Sequence, residues 1–163
     1  MKRFSKALAV VLIFACLLSG CTSLIEDKTI TCDGLSMTLP GLYVNLSDQE
    51  YAAEFDFVYG YKDVAVLGFQ QDRASLESSF TDLTARKYAE LFVEAAELTS
   101  TVTEQDGLVL FDYSATANDV DVTYLCSVYM SDTSFWVIQF YCPTADFAEN
   151  KSDFLSYLKT VQV

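Results

Sequence analysis

Residues 108–143 read LVLFDYSATANDVDVTYLCSVYMSDTSFWVIQFYCP, and this stretch decides the fold. It holds three runs rich in β-branched and aromatic residues, 108–115, 122–130 and 135–142. Asn118-Asp119 and Ser131 to Ser134 separate them. Short polar turns between such runs predict an antiparallel meander. Asp106-Gly107 precedes the first run, and Val102-Thr103-Glu104 supplies a fourth strand before it. If Met130 pairs with Phe135, the alternation of side chains fixes both faces. Cys126, Val128 and Val137 then share one face. Leu125, Tyr129, Trp136, Ile138 and Phe140 share the other. Both faces are apolar, so both need cover.

The cover is found on either side of the meander. Upstream, Leu83, Tyr88, Leu91, Phe92 and Ala95 recur at helical spacing, which predicts a helix over about 82–97 capped by Asp82 or Thr81. Downstream, Phe147, Phe154, Leu155 and Leu158 give a terminal helix over 146–161. Asp33-Gly34 lies between alternating arms and signals a two-residue hairpin at 29–39, because both turn positions need positive φ. A second hairpin runs from 54–60, with Phe55, Phe57 and Tyr59 on one face, to Val64 through Phe69. The expected class is α+β: an antiparallel sheet of about five to seven strands covered by two main helices.

Before this region stands MKRFSKALAVVLIFACLLSGC, residues 1–21. Lys2, Arg3 and Lys6 precede an uncharged run of about a dozen residues, shorter than the roughly 20 that a spanning helix needs. Leu18-Ser19-Gly20-Cys21 matches the lipobox of bacterial lipoproteins. In that family the peptide is cut between the residues placed here at Gly20 and Cys21, and the cysteine carries long acyl chains such as palmitate. The expected organisation is therefore a signal peptide over 1–20, a lipidated Cys21 with a short tether to 28, and one domain over 29–163. The expected location is the extracytoplasmic face of the cell membrane.

Without residues 1–20 the chain keeps seven basic and 23 acidic residues, a net charge of −16. Such a surface repels phosphate backbones and excludes nucleic acid as a partner. It also repels anionic headgroups, so membrane attachment falls to the lipid on Cys21.

The chain has no histidine. That removes the Ser-His-Asp and Cys-His constellations and the imidazole base. No acidic pair has a spacing that marks a catalytic site, and no nucleotide-binding glycine motif occurs. No enzyme activity and no cofactor are expected. Asp48, Glu50, Glu54 and Asp56 form one acidic cluster that could take a divalent cation, and Asp112, Asp119 and Asp121 another; neither has EF-hand spacing. Tyr51, Tyr59, Tyr61, Tyr129 and Trp136 could form a stacking platform, but alternating aromatics of this kind are expected mainly to pack. Cys32, Cys126 and Cys142 remain besides Cys21. Cys126 and Cys142 fall on opposite faces, so Cys32 with Cys142 is the disulfide to test.

The order hairpin, hairpin, helix, meander, terminal helix resembles the PsbP-like fold, an α/β/α sandwich. The stretches that carry the likeness are Leu35-Ser36-Met37-Thr38-Leu39-Pro40, the helix from Leu83 to Ala96, Phe135-Trp136-Val137-Ile138-Gln139-Phe140, and Phe154 to Val161. The fold is shared by an extrinsic photosystem II subunit, a Ran-binding import factor and small bacterial lipoproteins. The resemblance implies an accessory binding or assembly role, with a protein partner or envelope component, and no common catalytic residues. Metal sites of the photosynthetic branch use histidine, which this chain lacks. The alternative expectation is a lipoprotein that binds a small ligand or a divalent cation.

Overall fold

Asp33 and Gly34 both take positive φ, +42° and +88°. This is the conformation a two-residue hairpin turn demands, and it joins β1 (Lys28–Cys32) to β2 (Leu35–Leu39) in the expected register, Cys32 opposite Leu35. The computed structural model describes residues 26–77, 80, 82–117 and 119–163, with the side chains of Tyr51, Glu77 and Ala117 outside the description. The expected signal segment, Gly20, Cys21 and Thr81 lie outside the described residues.

The chain continues through β3 (Val44–Asn45), a 3-10 turn, β4 (Phe57–Tyr61), β5 (Val64–Asp72), a short α1 (Arg73–Glu77) and α2 (Ala85–Ala95). It then forms β6 (Thr103–Gln105), β7 (Leu108–Ala117), β8 (Val120–Met130), β9 (Ser134–Pro143) and α3 (Phe147–Leu158). Seven strands make one antiparallel sheet in the order β3-β4-β5-β9-β8-β7-β6. The hairpin β1-β2 is a separate two-stranded sheet. Met130 faces Phe135, as the alternation requires.

Each face of the sheet has its own core. On one, Cys126, Val128, Phe135 and Val137 meet Tyr88, Ala89, Phe92 and Val93 of α2. Tyr88 stacks on Phe135 at 4.6 Å, and Phe92 lies 5.6 Å from Phe111. On the other, Leu125, Trp136, Ile138 and Phe140 meet Phe154 and Leu158 of α3 together with Ile30, Leu35, Met37 and Leu39 of the hairpin. Fully burying each such side chain contributes about 1.5–3 kcal/mol. The tyrosine hydroxyl of Tyr129 donates to the Leu158 carbonyl at 2.7 Å and pins the end of α3 to the sheet.

Two local expectations are corrected. The α2 N-cap is Thr84, whose hydroxyl accepts from the Lys87 N–H at 3.2 Å. Asp82 instead takes φ +57°, which bends the chain before the helix. Phe55 does not share a face with Phe57 and Tyr59. It precedes β4 and packs on the α2 side, while they pack on the α3 side. Alternation holds only where the chain is extended, and β4 begins at Phe57.

Candidate functional site: a groove beside an open sheet edge

The strand β6 is three residues long and β7 is ten. The turn between them uses Asp106 and Gly107 at φ +52° and +83°. A two-residue turn of this kind makes Gln105 and Leu108 a mutually hydrogen-bonded pair. The main-chain groups of residues 108, 110, 112, 114 and 116 therefore point toward β6. Those of 109, 111, 113, 115 and 117 point toward β8, consistent with Ala117 facing Val120 across the next turn. Pairing with β6 ends at Leu110, opposite Thr103. Among the described residues no strand lies beyond, so the N–H and C=O groups of Asp112, Ser114 and Thr116 face open space.

The opposite edge of the sheet is closed differently. There the Leu46 N–H donates to the Val58 carbonyl at 2.8 Å, and the Val58 N–H donates to the Ser47 hydroxyl at 3.0 Å.

Beside the β7 edge lies a groove of about 530 Å³. It occupies the space into which β6 would extend, because the chain leaves the edge at Val102, which is buried against the α2 side. Leu98, Ser100 and Thr103 form one wall, Leu110 and Asp112 the strand side, and Lys151 of α3 the other wall. The Lys151 ammonium lies 3.5 Å from the Asp112 carboxylate and 5.4 Å from the Phe147 ring centroid. The Ser100 hydroxyl is buried and has no hydrogen-bond partner.

Two edge side chains bond across to β8 while remaining exposed. The hydroxyls of Ser114 and Thr123 lie 2.9 Å apart, and the Thr116 hydroxyl donates to Asp121 at 2.7 Å. The main chain is thus the recognisable feature of this edge, and its chemistry is that of a strand template.

Among the described residues the thiols sit elsewhere, and burial favours their protonated form. Burial pushes the thiols of Cys126 and Cys142 up, the latter to about 11 with help from Asp146. Burial likewise raises the phenols of Tyr88, Tyr113 and Tyr124 far above the usual range. For Cys32 the cause is again burial first, then the charges of Asp33 and Asp56. A thiolate is the reactive form, so none of the three is activated.

The residues singled out from sequence do not assemble into a metal site. Among the described residues no three carboxylate or thiol side chains group around a common point. Of Asp48, Glu50, Glu54 and Asp56, the last accepts from the Gln70 N–H at 2.7 Å, a structural use that ties β5 to the loop before β4. Asp112 pairs with Lys151, Asp121 with Thr116, and Asp119 takes φ +64° in the β7-β8 turn.

The aromatics that could have formed a platform pack instead, as expected, with the side chain of Tyr51 outside the description. Trp136 is 1% exposed, and Tyr59, Tyr61 and Tyr129 pack against the α3-side core. Cys32, Cys126 and Cys142 are free thiols, so the Cys32–Cys142 disulfide is not formed. The Cys32 thiol lies 3.7 Å from the Asp56 carbonyl, next to the level where Phe57, Gly68 and Ile138 line up across the sheet. Cys142 is four residues further along β9, on the order of 13 Å away and beyond bridging reach.

Cyanobacterial PsbP (CyanoP) from Synechocystis sp. PCC 6803 superposes on this chain with a TM-score of 0.58 at 14% identity, covering 90% of this chain and 97% of that one. The fold is PsbP-like. A protein from Bacteroides thetaiotaomicron superposes with a TM-score of 0.51 at 10% identity, and the match spans 80% of this chain but 45% of that chain. LpqN, involved in cell envelope biogenesis of Mycobacterium tuberculosis, gives a TM-score of 0.48 at 9% identity over 86% of this chain and 91% of that one. No family model matches, and no curated protein does. Sequence alone does not mark the open edge of this PsbP-like sheet. Its one signal is the short interval between Val102 and Asp106, too brief to cover a partner strand that runs to Ala117.

Proposed function

We propose that the protein is a lipoprotein held at the extracytoplasmic face of the cell membrane by acyl chains on Cys21. Its PsbP-like part acts there as a non-enzymatic accessory module that binds a protein or another envelope component. The observation that carries the accessory reading is the unpaired edge of β7 with the groove beside it, a surface that offers main-chain bonding. The absence of histidine and the protonated state of the buried thiols and phenols agree with it.

Two experiments test the two halves. Cys21→Ser should release the protein from membranes or stall its processing. Unchanged membrane retention would refute the anchor. Affinity purification of the full-length protein from its own membranes should recover a specific partner, and recovery of none would count against the accessory role.

A second reading, binding of a small polar ligand, draws on the groove alone. Its volume falls in the range of ligand sites, and the Ser100 hydroxyl in its wall is unpartnered. A ligand screen by thermal shift on wild type and Ser100→Ala separates it from the first.

A further inference from the structure

We propose that the open edge of β7 accepts an extended, basic segment of a partner protein as an added antiparallel strand. This rests on the accessory-module reading and names its surface and the chemistry of its partner. Asp112 to Thr116 offers three N–H and three C=O groups in strand register over about 14 Å. Edges of this kind are normally blunted by proline, lysine, a bulge or a covering element, because they template pairing. Between Asp112 and Thr116 there is no proline and no lysine. The groove continues the line of β6, so an incoming strand would take over where Thr103 leaves off. Ser100 in the groove wall supplies a buried hydroxyl that lacks a partner. Main-chain pairing at a sheet edge is a general mode of peptide recognition.

Charge selects the occupant. At the far end of the edge, Asp119 and Asp121 have no ion-pair partner among the described residues. Residues 21–163 together carry a net charge of −16. A segment running antiparallel to β7 in the line of β6 has its N-terminal end beside these aspartates, so its Lys or Arg residues belong there. Its C-terminal end enters the groove, where Lys151 makes a basic residue unwelcome. A second copy of this chain is a poor occupant. A two-fold pairing centred on Ser114 sets Asp112 of each copy beside Thr116 and its bonded Asp121 in the other, and it joins two strongly acidic bodies.

The test uses the full-length chain in detergent and a fluorescent heptapeptide, KKVTVTV, read by anisotropy. The peptide should bind in the micromolar range, and EEVTVTV should bind at least 10-fold more weakly. Ser114→Pro removes one outward N–H that bonds nothing in the fold, a substitution edge strands tolerate. It also removes the hydroxyl bond to Thr123, which Ser114→Ala should remove alone and without loss of binding. Ser114→Pro should weaken KKVTVTV about 10-fold, which is about 1.4 kcal/mol. A second measurement leaves the protein untouched. Peptides N-methylated on alternate residues in the two possible phases should differ at least 10-fold, because only one phase blocks the amides that face β7.

Equal binding of both methylated phases, equal binding to wild type and Ser114→Pro, or no binding of KKVTVTV would each overturn the proposal. So would dimerisation of the full-length chain that Ser114→Pro abolishes, since the edge would then belong to a second copy. If wild type and Ser114→Pro recover the same partner from membranes in equal amount, the edge proposal fails while the accessory reading stands.

Discussion

Gly68 of β5 lies directly opposite Phe57 of β4, and the ring of Phe57 lies across it. A methyl group added at Gly68 would overlap the ring atoms Cε1, Cζ and Cδ1, the farthest of them at 2.8 Å. The ring has little room to retreat. Phe57 is 3% exposed, and its centroid lies 6.3 Å from both Tyr59 and Trp136. Forcing a methyl into such a site costs about 1–3 kcal/mol. A strand glycine replaced by alanine recovers about 0.5–1 kcal/mol of backbone entropy.

Because the ring is hemmed in, the upper half of the first range applies, and Gly68→Ala should destabilise by about 2 kcal/mol. At roughly 3–5 °C per kcal/mol for a chain of this size, the melting midpoint should fall roughly 6–10 °C. Urea denaturation gives the free energy and calorimetry the midpoint. The double variant Phe57→Leu with Gly68→Ala should be more stable than the sum of the single losses by at least about 1 kcal/mol, because the smaller side chain vacates the space. A neutral Gly68→Ala, or strict additivity in the cycle, would show that contact between ring and glycine does not set the position of Phe57.

Thr84→Ala should cost about 1 kcal/mol in urea denaturation, because the Lys87 N–H loses its acceptor at the start of α2, whereas Asp82→Ala should not show a capping loss. Alkali should destabilise the protein from about pH 9 upward. Cys142 titrates from 9.0 when unfolded but near 11 when folded, so above pH 9 the unfolded state holds fewer protons and is favoured. The buried phenols add to the decline from about pH 10. Stability curves from pH 7 to 11 check this, and Cys142→Ala should reduce the slope between 9 and 10, with Cys126 and Cys32 supplying the rest.

The parts of the fold that could be read from sequence are those fixed by neighbours in the chain. Asp33-Gly34 and Asp106-Gly107 announce their turns because aspartate and glycine accept positive φ at low cost. The Met130–Phe135 pairing follows from the short turn between them, and with it the two faces that hold Cys126 and Trp136. What stayed hidden depends on distance or on length. Nothing local says that β5 pairs with β9 across more than sixty residues, or that β1-β2 packs over the α3 face as its own sheet. Asp82 looks like a cap because aspartate caps well, but its backbone bends the wrong way. The candidate site was hidden for a related reason. An open edge is created by the mismatch between a three-residue β6 and a ten-residue β7, and no single residue announces a mismatch.

The last residues of the chain pair with nearly the first described strand. Gln162 exchanges main-chain hydrogen bonds with Ser36 at 2.8 and 2.9 Å, and the Thr160 hydroxyl accepts from the Thr38 N–H at 2.9 Å, a separation of 122 residues. The hairpin is thus tied to residues 160–162 as well as packed on Leu125, Trp136, Ile138 and Phe140 of the sheet. Most of the cover for its apolar side, Ile30, Leu35, Met37 and Leu39, comes from residues more than 60 positions further along the chain, among them Trp136, Phe140, Phe154 and Leu158. Contacts across such separations cost loop-closure entropy before they form, so the hairpin is seated only after the sheet and α3 that it packs on, with residues 160–162 as its latch.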